Sequence, residues 1–420
     1  MTERLLQYIW QFQYFNARNL QTTQGESLQI IYNGTYNTNQ GPDFLNAKIK
    51  TGSTTWAGNI EMHIKSSDWQ LHQHSEDKNY KNVVLHVVWQ NDATVLLPFP
   101  TLELQQLVSS VLLGKYEELM QSALFIPCQN HIKEVSALTF TAWKERMLIE
   151  RLQQRALYIE NLLAQNNQHW EESFWWMLAK NFGIKINADA FEKIAQSIPL
   201  AILAKHKNQV QQLEALLMGQ AGILDKIFED DYPNMLAREY NFLKKKYGLK
   251  KAHAPIYFLR MRPANFPTVR LAQLAALIQQ SQHLFSIIKE TGDINEIKKL
   301  LQVTANDYWH YHYMFDEQTA FKKKTLGDQM IQNILINTVV PMLYAYGYRH
   351  NNEQIKSKAL VWIDQVSAEK NSIINGFHLL GIQNKSAFDS QALIQLKNNY
   401  CNYKLCLQCA VGNQVLRMGQ

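Results

Sequence analysis

The sequence predicts an α+β fold: a mixed sheet with flanking helices, followed by a large all-helical domain. The first supporting observation is a change of composition near residue 100. Before it, short segments of alternating polarity are separated by turn residues, and after it helix-forming residues dominate. The second is a segment at 83–89 that is apolar on both faces, as a central buried strand should be. We therefore predict two domains, 1–104 and 105–420.

The N-terminal elements follow from local patterns of apolar and turn-forming residues. Apolar residues at helical spacing after Thr2, a candidate N-cap, predict that the chain opens with a helix. Three strands bounded by turn residues are then predicted at 28–32, 45–50 and 55–65. A polar stretch, 66–81, has room for one short helix before the buried strand.

Two apolar stripes at helical spacing support the helical assignment of the second domain. One covers 148–163 and the other Trp170–Phe182. Prolines interrupt the rest, and the domain is large enough to be split near Pro233 or Pro255.

Composition excludes several classes of protein. With 46% hydrophobic and 19% charged residues, the chain can build folded cores and is not a disordered tail. The net charge of +6 is too small to indicate a nucleic-acid partner by itself. No apolar run approaches the roughly 18 residues of a membrane-spanning helix, the N-terminus lacks the pattern of a signal peptide, and four cysteines are too few for a secreted disulfide framework. We expect a cytoplasmic protein that does not enter a membrane.

The strand at 55–65 is the most informative element for function. Strand periodicity places Glu61, His63 and Lys65 on one face, opposite an apolar face. Asp43 immediately precedes the neighbouring strand, so its carboxylate and that of Glu61 can share one Mg²⁺ or Mn²⁺ ion, as metal-dependent hydrolysis of a phosphodiester requires. The alternative is a half-exposed strand whose polar face is simply solvated.

The order of Asp43, which follows a proline, and Glu61-x-His63 resembles the PD-(D/E)XK nuclease pattern. The resemblance implies a restriction-endonuclease-like sheet and a leading helix with an early glutamate, a place that Glu3 fills. The lysine of that family falls at position 63, where this chain has His63, and Lys65 faces the same side as a substitute. By this resemblance, His63 or Lys65 orients or deprotonates the attacking water.

A second candidate metal site lies in the polar connector. His72-x-His74 with Asp77 offers two imidazoles and a carboxylate, which are ligands of zinc, manganese or iron. The order resembles that in the Vsr-like relatives of the nuclease fold, where a histidine and an aspartate likewise follow the catalytic strand. We expect His72, His74 and Asp77 to build a second metal site or to grip the scissile strand. The alternative is that these residues cap turns and satisfy backbone groups.

The cysteines form a third candidate site. Cys401, Cys406 and Cys409 lie close together near the C-terminus, and Cys128 is remote in sequence. Four such thiols can hold an iron–sulfur cluster or a structural zinc ion, and one remote plus three clustered cysteines are similar in arrangement to those of some RecB- and AddB-type nucleases. The alternative is four ordinary reduced thiols.

A basic stretch with interleaved aromatic residues is the fourth candidate, and its cations can neutralise the phosphates of a nucleic acid. These cations are Lys244, Lys245, Lys246, Lys250, Lys251, Arg260, Arg262 and Arg270. The alternatives are a solvated charged face, or pairing with the acidic run at 229–231.

Several motifs together are specific in combination: Gly41-Pro42-Asp43-Phe44, Gly58-Asn59-Ile60-Glu61-Met62-His63, Ser67-Asp68-Trp69, His72-x-His74 and Arg260-x-Arg262-Pro263. In these motifs, and in its terminal cysteines, the chain resembles an uncharacterised bacterial family, domain of unknown function twenty-eight fifty-one, over nearly its whole length. The resemblance implies kinship and no particular activity.

The leading functional hypothesis is a divalent-metal-dependent nuclease that acts on DNA or RNA. One alternative is a non-catalytic nucleic-acid-binding or scaffold protein on the same fold, and another is a hydrolase of a different substrate that uses a histidine-bound metal. The sequence lacks a Walker loop, a dinucleotide-binding fingerprint and a serine-hydrolase elbow, so these three classes of enzyme lose their usual support.

Overall fold

The computed structural model describes residues 1–93, 97–252, 254–259, 261–281 and 283–418. It confirms the predicted α+β class, with an N-terminal mixed sheet followed by a largely helical region. The chain divides into two compact units, of which the first contains 1–143 and 397–420 and the second 144–396. The N-terminal sheet ends close to the boundary predicted at residue 104, but the first compact unit also includes helices and the C-terminal segment.

The sheet of the first unit combines antiparallel and parallel strands. In the described residues its strands are β1 (Leu28–Tyr32), β2 (Thr35–Tyr36), β3 (Phe44–Thr51), β4 (Thr54–Lys65), β5 (Val83–Gln90) and β6 (Thr101–Glu103). Their order is β1-β3-β4-β5-β6, with β2 paired to β3. β1, β3 and β4 pair antiparallel, whereas β4 and β5, and then β5 and β6, pair parallel. The predicted strands are therefore confirmed, and β2 and β6 are short additions to them.

Helices make up most of the remaining chain. In the described residues they are α1 (Glu3–Gln11), α2 (Asp68–Leu71), α3 (Ser110–Gln121), α4 (Ala137–Gln165), α5 (Trp170–Phe182), α6 (Ile184–Gln196), α7 (Leu200–Lys205), α8 (Val210–Gln220), α9 (Asp231–Tyr247), α10 (Pro267–Gln280), α11 (Leu284–Glu290), α12 (Ile294–Leu301), α13 (Asp328–Ile334), α14 (Val340–Arg349), α15 (Glu353–Asp364), α16 (Ser372–Leu379), α17 (Ala387–Leu396) and α18 (Ala410–Arg417). The second unit also holds a two-stranded hairpin, β7 (His312–Met314) and β8 (Glu317–Gln318). None of the helices in these ranges has the length and apolarity that crossing a membrane requires.

The first helix and the start of β4 are fixed by close packing. The Thr2 hydroxyl accepts a hydrogen bond from the Leu5 N–H and so caps α1, whose buried apolar face packs against β4. Where β4 meets the segment before β5, the Asn59 N–H donates to the Asn82 carbonyl oxygen at 2.7 Å. A Cβ on the adjacent Gly58 would lie 2.4 Å from that oxygen, so only glycine allows this approach.

The polar face of β4 is buried. Glu61 is 6% exposed and His63 1% exposed, which excludes the alternative of a solvated strand face. In the parallel register Glu61 lies beside His86 of β5. Since neighbouring residues of paired strands share a face, the sheet itself brings these polar side chains together.

Candidate metal centre

Asp43 and Glu61 lie together at the junction of β3 and β4. The Asp43 N–H donates to Glu61 Oε2 at 3.2 Å, and the Met62 N–H donates to Asp43 Oδ2 at 3.0 Å. Gln7 of α1 donates from its Nε2 to Asp43 Oδ1 at 2.7 Å. The structure therefore brings the two carboxylates together, with one of them held by backbone and helix donors.

Burial makes ionisation of both carboxyl groups unfavourable. It raises the pKa of Asp43 to about 6, although the hydrogen bonds from Met62 and Gln7 act in the opposite direction. Burial also raises the pKa of Glu61 to about 9, and the neighbouring Asp43 charge adds to this rise. A divalent cation would offset both effects, because its charge favours the ionised carboxylates.

Three histidines direct ring nitrogens at the same point beside Glu61. His63 Nε2 lies 3.2 Å from His72 Nδ1 and 3.3 Å from His74 Nε2, and one nitrogen from each ring lies within 4.8 Å of the other two. Glu61 Oε1 is 3.6 Å from His63 Nε2 and 3.4 Å from His74 Nε2. His63 and Glu61 come from β4, whereas His72 and His74 come from the connector after α2.

Several of these separations are close to those around a tetrahedral ion. Metal–nitrogen bonds of about 2.0–2.1 Å place neighbouring ligand atoms of a tetrahedron about 3.3 Å apart. The distances from His63 to His72 and His74, and from Glu61 to His63 and His74, are close to this value. The group of ligand atoms that all lie within 4.8 Å of one another consists of the three histidines, and Glu61 lies beside it. Three imidazoles and one carboxylate are a ligand set for zinc, manganese or iron, and a less suitable one for magnesium.

His86 orients the central imidazole of the cluster. His86 Nε2 lies 2.9 Å from His63 Nδ1, so a hydrogen bond at Nδ1 leaves the Nε2 lone pair of His63 directed at the cluster. Burial is the main cause that lowers the pKa of His63 to about 3 and that of His86 to about 4. Both rings are therefore neutral at physiological pH, and a histidine must be neutral to bind a metal.

Aromatic side chains pack around the histidines. The ring of Tyr80 stacks on His74 with 3.9 Å between centroids, and the buried Trp69 contacts both His74 and His86. Asp77, predicted to join His72 and His74 in a second metal site, instead accepts a hydrogen bond from the Asn79 N–H and caps a short turn. His72 and His74 thus lie with the β4 residues in one cluster, and Asp77 lies outside its group of ligand atoms.

Glu3 and Lys65 occupy exposed positions at the edge of this site. The Glu3 charge raises the pKa of both Asp43 and Glu61 slightly, so Glu3 lies near them. Lys65, at the end of β4, donates only its backbone N–H to Asp68 Oδ2, and among the described residues its ammonium pairs with neither carboxylate. The structure therefore does not bring Lys65 to the position of a catalytic lysine.

Gln7 was missed by the sequence analysis. It lies one helical turn after Glu3, so the two residues share a face of α1, and its amide contacts Asp43 directly. The available signal was its position, four residues after the candidate site residue Glu3 in an amphipathic helix.

The four cysteines belong to the first compact unit and are all free thiols. Cys128, Cys406 and Cys409 are buried and Cys401 is partly exposed. Burial raises the pKa of all four thiols, and Cys406 and Cys409 raise the pKa of Cys128 and Cys401 further, which indicates that the side chains are neighbours.

Cys409 lies in a pocket of hydrogen-bond donors. The N–H groups of Val411 and Gly412 and the indole of Trp143 donate to its sulfur, and this lowers the thiol pKa against the effect of burial. A Cβ on Gly412 would lie 2.4 Å from the Cys406 carbonyl oxygen, so glycine is required for this packing. Donors arranged in this way stabilise a thiolate more than a thiol.

The described cations of the basic stretch differ in their exposure and pairing. Its exposed cations are Lys245, Lys246, Lys250 and Arg262, and Lys244 is half-buried. Lys251 pairs with Asp225, Arg270 is buried, and Arg260 lies outside the described residues. In the acidic run at 229–231, Asp230 accepts a hydrogen bond from the Tyr308 hydroxyl at 2.8 Å.

Comparison with known proteins gives one match. The model of the family described as "Protein of unknown function (DUF2851)" matches residues 3–372, which include the carboxylates, the histidine cluster and the basic stretch but not the three C-terminal cysteines. No curated protein and no solved structure matches the chain. Since the match covers far more than half of the sequence, the chain belongs to the DUF2851 family.

Proposed function

We propose that this protein is a metal-dependent hydrolase that holds its metal with Glu61, His63, His72 and His74 and cleaves phosphodiester bonds of nucleic acids. The main support is the convergence of three imidazole nitrogens within 4.8 Å of one another, with Glu61 Oε1 at 3.4 Å from His74 Nε2 and 3.6 Å from His63 Nε2. Asp43, a second carboxylate of high pKa directly beside Glu61, supplies a group that can transfer a proton.

A metal bound at this site would polarise a phosphoryl oxygen and lower the pKa of a water molecule. The protein's own residues hold the reacting groups in position. Hydrogen bonds from Gln7 and Met62 hold the Asp43 carboxylate in place, and with a pKa of about 6 it is ionised at neutral pH and can accept a proton from water. His86 fixes the ring of His63, and the buried Trp69 packs against His86.

The choice of phosphodiester as substrate is supported by the order of Asp43 and Glu61-x-His63, which resembles the PD-(D/E)XK pattern. The departure from that pattern is at position 63. A neutral imidazole cannot supply the positive charge of a lysine, and Lys65 is exposed and unpaired with the carboxylates. This difference favours a histidine-bound metal over a Mg²⁺ ion held by Asp43 and Glu61 alone. Because the catalytic lysine is missing, the experiment below also tests the alternative of a non-catalytic nucleic-acid-binding protein.

The decisive experiment measures metal content and cleavage in the same preparations. We expect the full-length protein to bind one equivalent of zinc, manganese or iron and to cut DNA or RNA only when loaded. Glu61→Gln and His74→Ala should weaken metal binding by at least about tenfold and abolish cleavage. Glu76→Gln is the matched control, because Glu76 is an exposed carboxylate in the same connector. Asp43→Asn should keep the metal and lose cleavage, which would separate the proton acceptor from the ligands.

Other outcomes would contradict specific parts of the proposal. Cleavage without metal would rule out the metal centre, and Glu61→Gln protein that binds metal as tightly as wild type would rule out Glu61 as a ligand. Metal binding with hydrolysis of a different substrate would leave the centre in place and reject nucleic acid. Salt-dependent nucleic-acid binding without turnover under any metal would favour the non-catalytic protein.

We also propose that Cys128, Cys401, Cys406 and Cys409 hold a structural metal, either zinc or an iron–sulfur cluster. Burial, mutual proximity and the donors around Cys409 support a thiolate site. Zinc–sulfur bonds of about 2.3 Å place sulfurs about 3.8 Å apart, whereas within the described residues no three of these sulfurs lie within 4.8 Å of one another. This wider spacing favours a cluster of several irons over a single ion.

A further inference from the structure

A cavity with an unusual distribution of charge lies within the helical unit. It has a volume of about 750 Å³, and its lining includes Arg270, Lys324, Lys322, Lys323 and Lys370. One acidic residue, Glu369, is part of the described lining, and its carboxylate already accepts a hydrogen bond from the Gln391 amide. The cavity wall therefore has a clear excess of positive charge.

Two of these cations are buried and, in the part of the chain that the structure describes, have no anionic partner. Arg270 is 7% exposed, and its guanidinium donates to Gln273 Oε1 at 3.0 Å and to Asn265 Oδ1 at 2.5 Å, both neutral acceptors. The Arg270 Nε is buried and, among the described residues, has no hydrogen-bond partner. A buried charge that is not neutralised is costly, so its retention at a cavity wall indicates that an anion binds there.

Lys324 is the other buried cation of the cavity wall. It is 4% exposed, its Nζ donates to the Lys322 carbonyl oxygen at 3.1 Å, and the ammonium lies 3.7 Å from the centre of the Tyr313 ring. Neither contact neutralises its charge, and burial lowers its pKa. Within the described residues no carboxylate pairs with it.

The Arg270 guanidinium and the backbone of Lys324 bind the same side chain. Gln273 accepts from Arg270 and donates from its Nε2 to the Lys324 carbonyl oxygen at 3.2 Å. Arg270 and Gln273 both lie in the first half of α10, so the positive end of that helix is close to the same wall. The donors are thus positioned before any ligand binds, which reduces the entropy cost of binding.

We propose that this cavity binds a small phosphorylated molecule, whose phosphate groups are held by Arg270 and Lys324 and approached by Lys322 and Lys323 at the rim. Its volume is in the range of small-molecule sites, about 300–1,000 Å³. A nucleic acid is disfavoured as the ligand because a polymer contacts exposed cations along a groove, whereas these two cations are almost completely buried. This site involves none of the metal-centre residues, so it stands or falls independently of the proposed hydrolase function.

The test is isothermal titration calorimetry of the full-length protein with pyrophosphate, ATP and a single-stranded DNA oligonucleotide. We expect saturable binding of pyrophosphate or ATP at one site per chain. Lys324→Met should weaken it by about tenfold or more, since a charge-assisted hydrogen bond is lost, and Lys323→Ala should weaken it less. Lys245→Ala is the matched control, because Lys245 is exposed in the same unit and does not line the cavity.

Thermal unfolding without ligand distinguishes a binding role from a structural one. Because Lys324→Met removes an unneutralised buried charge and keeps the side-chain length, the variant should be at least as stable as wild type. Absence of saturable pyrophosphate and ATP binding, or equal weakening by Lys245→Ala, would overturn the proposal. DNA binding that is lost in Lys324→Met, without binding of either small phosphate, would also overturn it and assign the cavity to nucleic acid.

Discussion

Glu61→Gln should make the metal-free protein sensitive to acid, although it removes an acidic residue. The reason is that the histidines and the carboxyl groups of the candidate metal centre change the unfolding free energy in opposite directions as the pH falls. The histidine pKa values are lowered by burial, whereas the carboxyl pKa values are raised by it. In the wild-type protein these effects oppose each other as the pH changes.

The magnitudes follow from the pKa values. His63 and His86 have folded pKa values of about 3 and about 4, below the ordinary 6.5, so the stability they contribute is present above pH 6.5 and is lost as the pH falls. From pH 7 to pH 5 each loses about 2 kcal/mol of unfolding free energy. Glu61 has a folded pKa of about 9, so its contribution is present below the ordinary 4.5 and is lost as the pH rises. Between pH 7 and pH 5 Glu61 therefore regains about 2–3 kcal/mol and Asp43, with a pKa of about 6, regains about 1 kcal/mol.

The contributions of these four groups to the wild-type unfolding free energy therefore nearly cancel between pH 7 and pH 5. Glutamine at position 61 does not titrate, so the variant should lose about 2–3 kcal/mol relative to wild type over the same interval. The measurement is urea unfolding in the presence of a chelator at pH 5, 6 and 7, followed by circular dichroism, with Glu76→Gln as control. Equal pH slopes for Glu61→Gln and wild type would show that Glu61 does not carry the raised pKa, and the electrostatic account of the site would fail.

Two further predictions concern the cysteines and the packing of the second unit. Protein purified without oxygen should contain iron and absorb in the visible range, and Cys409→Ser should lose both metal and colour; colourless protein with zinc would identify a single-ion site, and protein without either metal would reject the site. Gly219→Ala should destabilise the protein by about 2–3 kcal/mol, because a Cβ there would lie 2.1 Å from the Tyr240 ring between α8 and α9. Gly292→Ala, which has open space around the new methyl group, should change the urea midpoint little, and an equal effect of both substitutions would contradict the packing argument.

The N-terminal sheet was predictable because its strands have clear local signals. β4 alternates between polar and apolar residues, and β5 is apolar on both faces. β2 and β6 consist of two and three residues, which is too short for a period to be recognised. Their place depends on pairing with strands that are distant in sequence. The hairpin of β7 and β8 in the helical region was missed for the same reason.

The candidate site was only partly predictable. Periodicity placed Glu61 and His63 on one face of β4, and the sheet register then added His86. The convergence of His72 and His74 on Glu61 depends on the path of the connector, including the left-handed conformation of Gln73 between them, which spacing alone does not specify. The opposite holds for Arg270, which the basic composition of its segment suggested to be a surface residue and which tertiary packing buries beside a cavity.

The replacement of lysine by histidine at position 63 changes what the site can bind. The environment there opposes a single positive charge, since it lowers the pKa of His63 from 6.5 to about 3, which is roughly 5 kcal/mol against protonation. A proton on one imidazole occupies one lone pair and leaves the other nitrogens of the cluster without a partner. A metal ion held by His63, His72 and His74, with the ionised Glu61 beside them, would by contrast form several bonds that oppose the cost of burial. The environment that disfavours a lysine or an imidazolium is therefore compatible with a divalent metal, and this is the physical ground on which we propose metal binding at this site.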